Sequence, residues 1–185
     1  MAYFFFDFRD KKKQSARALL TSILVQLSNQ SDSLCNIILA LYSTRQHGSQ
    51  QPSDSELIQC LQNILQIPTQ VPTYIIVDAL DESPDTSGIQ SSREMILDLV
   101  EELVGLHLPN LRLCITSRPE VDIRTVLKPL TSTSTCTSLH DESGQQKDIV
   151  DYISSVVHSD RKMKRWREED KKLVVEALSG RADGM

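Results

Sequence analysis

The order of apolar and polar positions divides the chain into three short apolar runs and several longer stretches with helical spacing. Residues 2–8 are nearly all apolar or aromatic, and residues 73–78 and 111–116 are mainly β-branched, aromatic or leucine up to their last positions. Short runs of this kind are typical of strands buried on both faces of a parallel sheet. The pattern therefore predicts three buried strands.

Between and after these runs, apolar residues recur three and four positions apart, as they do on one face of a helix. Two predicted helix starts, Ser53 with Glu56 and Ser91 with Glu94, have the form of a capping box, in which a hydroxyl caps the helix and a glutamate reaches back. Strands that alternate with helices predict an α/β fold with a mostly parallel sheet. The predicted helices start near residue 14, after residues 32, 53 and 91, and cover 120–127, 146–158 and 168–182.

Residues 131–138 are a tract of threonine and serine with one cysteine. Such a biased tract fits either a flexible insertion or a weak strand. We expect an insertion here, followed by a short strand near residues 138–140.

Length and composition exclude several classes of protein. A chain of 185 residues with 39% hydrophobic residues has the size of one domain with a small appendage, and it is too apolar for general disorder. No apolar run approaches the ~20 residues of a membrane helix, and the start of the chain lacks the basic region of a signal peptide. The four scattered cysteines show no metal-ligand or disulfide spacing, and we expect Cys35, Cys60 and Cys114 to pack as small apolar groups. We therefore expect a cytoplasmic protein without a membrane partner.

The charge balance does not favour nucleic acid as a partner. The formal net charge is −5, and the basic stretch at residues 161–167 is followed directly by three acidic residues. This stretch is open to two interpretations, a nucleic-acid or acidic-lipid patch and a solvated helix face or linker. We favour the solvated face, so no nucleic-acid partner is expected.

Charged residues follow two of the predicted strands. Asp78, Asp81 and Glu82 come at the end of the second strand, and Arg118 comes at the end of the third. Acidic residues after a strand are commonly solvated turn residues. However, ligands of parallel α/β sheets bind beyond the carboxyl ends of the strands, and carboxylates, Mg²⁺ and an arginine are what phosphoryl transfer requires. The combination favours a nucleotide site over a plain turn.

These residues carry a family resemblance. Residues 74–82 resemble the extended Walker B motif of NACHT-type NTPases, a STAND class of signalling P-loop ATPases, in which a small residue such as Ala79 follows the first acid and further acids come after it. Residues 111–119 are similar to the sensor-one strand of that family, with its terminal arginine. Residues 2–10 and 19–27 resemble the fungal subgroup with nephrocystin-type NACHT modules.

The resemblance implies a role for each charged residue. Asp78 would hold Mg²⁺, Asp81 or Glu82 would position or activate the attacking water, and Arg118 would sense the γ-phosphate of ATP. The full-length protein would be a switch in which ATP–Mg²⁺ controls homo-oligomerisation with other NACHT protomers. The oligomer would activate an effector, in fungi for non-self recognition or cell death.

The family's phosphate-binding loop is absent from the sequence. No G-x-x-x-x-G-K-[ST] occurs in the 185 residues, and none of the six glycines precedes a lysine. The resemblance thus implies an incomplete, three-layer P-loop NTPase-like fold without its first strand and loop. Residues 1–140 would be the partial nucleotide-binding core, and residues 141–185 a truncated helical extension.

Two functions remain open at this point. The chain is either a fragment of a signalling ATPase or a non-catalytic NACHT remnant that acts as a protein-interaction scaffold. In both cases we expect that this chain alone does not bind ATP or Mg²⁺ and is inactive as an enzyme. We also expect the strand at 111–116 to have an open side, which makes the chain marginally stable, aggregation-prone or dependent on another polypeptide.

Overall fold

The computed structural model describes residues 1–45, 50–67, 72–85, 91–131, 135–137 and 143–181, with the side chains of 143–146 and 181 outside this set. The chain divides into two compact units, Met1–Leu130 and Thr131–Met185. The strand predicted near residues 138–140 lies outside the described residues.

The described part of the first unit contains a parallel sheet of three strands. These are β1 (Ala2–Phe5), β2 (Thr73–Asp78) and β3 (Leu111–Ile115), in the order β1-β2-β3. The predicted α/β class with a parallel sheet is thereby confirmed. β1 is shorter than the predicted 2–8, because a turn closed by the Asp10 N–H and the Asp7 carbonyl oxygen at 3.0 Å bends the chain away.

In the described residues of the first unit, five α-helices accompany this sheet, and the two predicted capping boxes are both present, at Ser53 with Glu56 and at Ser91 with Glu94. Each box satisfies backbone groups that a helix start leaves unpaired, so these starts are fixed by the sequence. The helices are α1 (Ala16–Ser28), α2 (Asp32–Thr44), α3 (Asp54–Leu65), α4 (Ser92–Gly105) and α5 (Val121–Leu130).

Helices cover one face of the sheet, and the other face is exposed. Both crossovers, β1 to β2 and β2 to β3, run in the same direction, and right-handed connections then place their helices on the same side. The core lies on that side. It includes Ala2, Phe4, Leu20, Ile23, Leu27, Leu61, Ile75, Val77, Leu80, Ile96 and Leu103.

The exposed face corrects the expectation that the strands are buried on both faces. Tyr3 is 47% exposed, Phe5 48% and Tyr74 50%, although they belong to the most apolar runs of the chain. Within Met1–Leu130 the structure thus describes two layers, a sheet and its helices, of the three expected. Apolar composition alone could not distinguish a strand covered on both faces from one covered on a single face.

Side-chain amides of α1 close the outer edge of β1. Gln26 accepts a hydrogen bond from the Tyr3 N–H at 3.0 Å and donates one to the Tyr3 carbonyl at 2.7 Å. Gln30 makes the same pair of contacts with the amino group and the carbonyl of Met1, at 3.0 and 2.9 Å. The two amides therefore take the place that a neighbouring strand would have.

The cysteines differ in their surroundings, and all four are free thiols. Cys60 is buried in the core as expected, and burial raises the pKa of its thiol, which favours the neutral form. Cys114 was expected to pack as a small apolar group. It is instead exposed, because position 114 lies on the uncovered face of β3.

The second unit contains the two predicted closing helices, α6 (Ser143–Ser159) and α7 (Glu168–Arg181). They pack against each other, and Val157 of α6 is buried. Glu168 accepts a hydrogen bond from the Lys171 ammonium at 2.7 Å, which lowers the pKa of Glu168.

No helix in the described ranges is both long and apolar enough to span a membrane.

An ion pair links the end of α2 to the capping box of α3. The Glu56 carboxylate accepts hydrogen bonds from the Arg45 guanidinium and, at 2.8 Å, from the Ser53 N–H. The Arg45 contact is the larger cause, and together the two lower the pKa of Glu56 from 4.5 to about 2. A lowered folded-state pKa stabilises the fold at pH values above the unfolded pKa, and this stabilisation disappears as pH falls through the folded pKa.

We therefore expect the natural chain to have a larger free energy of unfolding than Glu56→Gln, with the largest difference near neutral pH. This difference should decrease as pH falls from 4.5 towards 2, because glutamine keeps the capping geometry but does not titrate. Urea unfolding followed by circular dichroism at several pH values measures this difference. Glu101→Gln, at an exposed position of α4, is the control and should show no such convergence. A pH-independent difference for Glu56→Gln would contradict the assignment.

Candidate functional site

The chain turns sharply at the carboxyl end of β2. Asp78 is the last residue of the strand, and Ala79 has left-handed backbone angles, φ 54° and ψ 48°. For a residue other than glycine this conformation costs about 1–2 kcal/mol. Leu80 follows, is fully buried and starts a short 3₁₀ turn that ends at Glu82. Burial of Leu80 helps to offset the cost at Ala79.

Thr116, directly after β3, holds this turn with four hydrogen bonds. Its N–H donates to the Val77 carbonyl at 2.9 Å, and its carbonyl accepts from the Leu80 N–H at 3.0 Å. Its hydroxyl accepts from the Ala79 N–H at 3.0 Å and donates to the Asp78 carboxylate. The two strand ends are thus joined at the level of the acidic residues.

The structure places the four predicted site residues at this one rim of the sheet, but it separates the three carboxylates. Asp78 is bonded to Thr116, and Asp81 accepts from the Arg118 N–H at 2.9 Å. Glu82 accepts from the Phe8 N–H at 3.0 Å, on the β1 side of the rim. Each carboxylate has its own donor, so their mutual repulsion is relieved without a cation among them.

Asp81 and Arg118 form the one charge pair between predicted site residues. The Arg118 Nε lies 3.5 Å from Oδ2 of Asp81, whose side chain is only 10% exposed. The Arg118 side chain is 73% exposed, so the pair contributes at most about 1 kcal/mol to stability. Its effect is to orient the exposed guanidinium at the end of β3.

Asp78 is the predicted site residue whose chemistry fits a metal ion. Its Oδ1 accepts the Thr116 hydrogen bond, and no partner for Oδ2 is found in the described ranges. A carboxylate oxygen is a suitable Mg²⁺ ligand, and Mg²⁺ is commonly held by one or two carboxylates together with substrate phosphates. The described residues contain no group of three or more histidine, cysteine or acidic side chains that could hold a metal by themselves.

Arg93, which no sequence pattern singled out, fixes the loop that carries Asp81. Arg93 lies in the first turn of α4 and is only 7% exposed. Its guanidinium donates to the Asp81 carbonyl at 2.5 Å and to the Ser83 carbonyl at 2.8 Å. It also lies 3.3 Å from Asp122 and 3.8 Å from Glu120.

Arg93 therefore ties the turn after β2 to the start of α5. The local sequence gave no signal for this role, because Arg93 stands inside the Ser-Arg-Glu segment of a capping box, where an exposed arginine is common. Thr116 was likewise assigned only to its strand. Both act through backbone carbonyls and amides that are distant in sequence.

A family match covers the part of the chain that forms this rim. Residues 1–118 match the family model described as Nephrocystin 3, N-terminal, which is more than half of the chain. The chain belongs to the nephrocystin 3 N-terminal family. No curated protein and no solved structure matches it.

The family match includes every residue of the candidate site. It starts before β1, contains β2 and β3, and ends at Arg118. Residues 119–185, with α5, α6 and α7, lie outside it. The match therefore covers the residues of this chain that form the sheet, its rim and the helices between the strands.

Replacement of Arg93 should destabilise the first unit. Arg93→Ala leaves the Asp81 and Ser83 carbonyls without their donor, and it leaves Asp122 without its cation. We expect the free energy of unfolding to fall by about 2–4 kcal/mol, measured by urea titration.

Arg124→Ala, an exposed arginine on α5, is the matched control and should change stability by no more than about 0.5 kcal/mol. The loss of stability in Arg93→Lys should lie between those of the two alanine variants, because lysine keeps the charge but not the forked geometry of the guanidinium. Equal effects of Arg93→Ala and Arg124→Ala would show that the buried guanidinium does not hold the loop.

Proposed function

We propose that the chain is part of a NACHT-type signalling ATPase, of the fungal nephrocystin-type subgroup, in which this rim is one half of the nucleotide site. The observation that carries the proposal is the side-by-side placement of Asp78 and the Asp81–Arg118 pair at the carboxyl ends of β2 and β3. Ligands of parallel α/β sheets bind at this position. Membership of the NACHT-associated nephrocystin 3 N-terminal family supports it.

Each residue then has a distinct task. Asp78 offers Oδ2 to Mg²⁺, directly or through water, while Thr116 fixes the carboxylate through Oδ1. Bound Mg²⁺ supplies neutralisation of phosphate charge. The exposed guanidinium of Arg118 contacts the γ-phosphate of ATP, and Asp81 orients it.

The group that positions the attacking water is Asp81 or Glu82. Asp81 already contacts Arg118 through both oxygens, at 2.9 and 3.5 Å. Both oxygens of Asp81 are thus occupied, whereas the described residues give only one oxygen of Glu82 a partner, the Phe8 N–H. We therefore assign Asp81 to the positioning of Arg118 and favour Glu82 for the water.

Nucleotide binding requires groups that the 185 residues do not supply. A phosphate-binding loop contributes backbone amides and a lysine, in charge-assisted hydrogen bonds of ~1.5–3 kcal/mol each. Without two or three of them, binding weakens by ~5 kcal/mol, or ~10³–10⁴-fold. We propose that such a loop lies upstream in a longer cytoplasmic chain, whose ATP-dependent homo-oligomerisation activates an effector.

In the proposed organisation, residues 1–140 form the partial nucleotide-binding core and residues 141–185 form a helical extension of the same module. The resemblance of residues 74–82 and 111–119 to the family's motifs supports the first part. The helical hairpin of α6 and α7 supports the second.

The alternative function is a NACHT remnant that serves as a protein-interaction scaffold. The uncovered sheet face favours it, since Tyr3, Phe5 and Tyr74 are each about half exposed. Aromatic side chains are enriched in protein interfaces. A scaffold would need neither Asp78 nor Arg118 for its activity.

Calorimetry with ATP and Mg²⁺ tests the proposal on a chain extended upstream by its glycine-rich loop. We expect the extended chain to bind and hydrolyse ATP, and the 185-residue chain to show no binding at millimolar ATP. Asp78→Asn should remove the Mg²⁺-dependent hydrolysis, because the amide keeps the Thr116 contact but is a poor Mg²⁺ ligand.

Asp85→Asn, at an exposed position a few residues further on, is the matched control and should leave hydrolysis unchanged. Unchanged ATP hydrolysis by Asp78→Asn would show that Asp78 does not hold Mg²⁺. Absence of an upstream loop, with no binding by any longer chain, would favour the scaffold instead.

A further inference from the structure

Helix α2 is apolar but poorly covered. Apart from Asn36, residues 34–42 are apolar or aromatic, yet none of the 13 residues of α2 is buried. Leu39 is 52% exposed and Tyr42 48%. Amphipathic helices of globular domains bury their apolar face against neighbouring elements. The packing of α2 against α1 and α3 is therefore incomplete.

A cavity of about 250 Å³ lies between α1, α2 and α3. Protein interiors contain few voids larger than a water molecule, and an apolar cavity of about 150 Å³ is large enough to bind benzene. The space between the helices therefore has the size of a small ligand. Every described residue that lines it belongs to the segment between β1 and β2, within the family match.

The wall of the cavity is mainly apolar. Leucine, isoleucine and cysteine side chains of the three helices line it, at Leu24, Ile38, Leu41, Leu57 and Cys60. Leu24, Leu57 and Cys60 belong to the buried core, so the floor of the cavity is part of that core. An apolar chain or ring placed here would leave water, which is the main source of affinity for such a ligand.

Arg45 is the one charged residue among the described residues that line the cavity. Its side chain is 30% exposed, and its Nη2 donates to the Glu56 carboxylate. A guanidinium has five N–H donors, so one contact leaves several of them for another acceptor. The Glu56 carboxylate is also held by the Ser53 N–H at 2.8 Å and the Ser53 hydroxyl at 2.7 Å. A second anion at Arg45 therefore does not have to displace Glu56.

Two contacts fix the chain beside Arg45. The Gln50 N–H donates to the Arg45 carbonyl at 3.4 Å, and the Arg17 guanidinium donates to the Pro52 carbonyl at 2.7 Å. Gln50 and Pro52 both line the cavity. Its walls are thus formed before any ligand arrives, as is usual for small-molecule sites, and a ligand does not have to order them first.

We propose that this cavity binds a small amphipathic carboxylate, with its apolar part between α1, α2 and α3 and its carboxylate on Arg45. Hydrogen bonds from a guanidinium to a carboxylate are charge-assisted and can form in pairs. A neutral apolar molecule would fill the same space but would make no use of the Arg45 donors. Ligand sites commonly combine apolar walls with a few polar groups that orient the ligand, and this cavity has that composition.

Calorimetry of the 185-residue chain with octanoate tests the proposal, and octanol is the uncharged control ligand. We expect saturable binding of one octanoate per chain. Hexanoate should bind more weakly, by about fourfold for each methylene removed, because the ligand chain lies in apolar surroundings. Arg45→Gln should weaken octanoate binding by about tenfold or more and leave octanol binding unchanged.

Two tryptophan variants locate the site. Val25 lines the cavity and is 55% exposed, so the indole of Val25→Trp can occupy the space without entering the core. Octanoate binding should then be lost. Leu39→Trp adds the same ring at a similarly exposed position of α2 that does not line the cavity, and this variant should bind octanoate as the natural chain does.

The thiol of Cys60 gives a second readout. In a Cys35→Ser, Cys114→Ser, Cys136→Ser background it is the one remaining thiol of the chain. Because Cys60 lines the cavity, bound octanoate should protect it from alkylation by N-ethylmaleimide. The reaction should slow about tenfold when octanoate is present at ten times its dissociation constant.

Absence of saturable octanoate binding would overturn the proposal. Equal losses of octanoate and octanol binding in Arg45→Gln, with the fold checked by circular dichroism, would also overturn it, because the carboxylate would then have no partner at Arg45. Octanoate binding that survives Val25→Trp, or that leaves the alkylation of Cys60 unchanged, would place the ligand elsewhere and would contradict the assignment. No readout involves ATP, so these results are independent of the proposed nucleotide site.

Discussion

The rim of the sheet depends on the hydrogen bonds of one residue, Thr116. Its backbone continues the β2–β3 pairing for one more position, and its hydroxyl reaches the acid at the end of β2. Ala79 can keep left-handed backbone angles because two N–H groups of the turn, its own and that of Leu80, are bonded to Thr116. The strained conformation of Ala79 is thus held by hydrogen bonds to a residue 37 positions later in the chain.

A second constraint acts on the same segment from the opposite side. The buried guanidinium of Arg93 binds the carbonyls of Asp81 and Ser83, so the turn is held by a strand end and by a helix start. Because Arg93 contacts the carbonyl of Asp81 and not its carboxylate, that carboxylate is left to contact Arg118 at the rim. Backbone groups therefore hold the turn in place, and carboxylate side chains lie at the rim.

The sequence predicted the parts of the fold that depend on local patterns. Three strands, the capping boxes at Ser53 and Ser91, and the rim position of Asp78 and Arg118 follow from periodicity and from the direction of parallel strands. Exposure of Tyr3 and Phe5 was not predictable, because it depends on which side both crossovers take. Arg93 and Thr116 were missed for a related reason: both hold the turn mainly through its backbone carbonyls and amides, which leave no residue-type pattern.

The glutamine side chains along β1 have a consequence for how the sheet can grow. Gln26 and Gln30 occupy the hydrogen-bonding positions of Tyr3 and Met1, so extension of the sheet is confined to one direction. A sheet with two free edges can propagate into fibrils, because each added molecule leaves a new edge behind it. A sheet with one free edge is capped by the first strand that joins it.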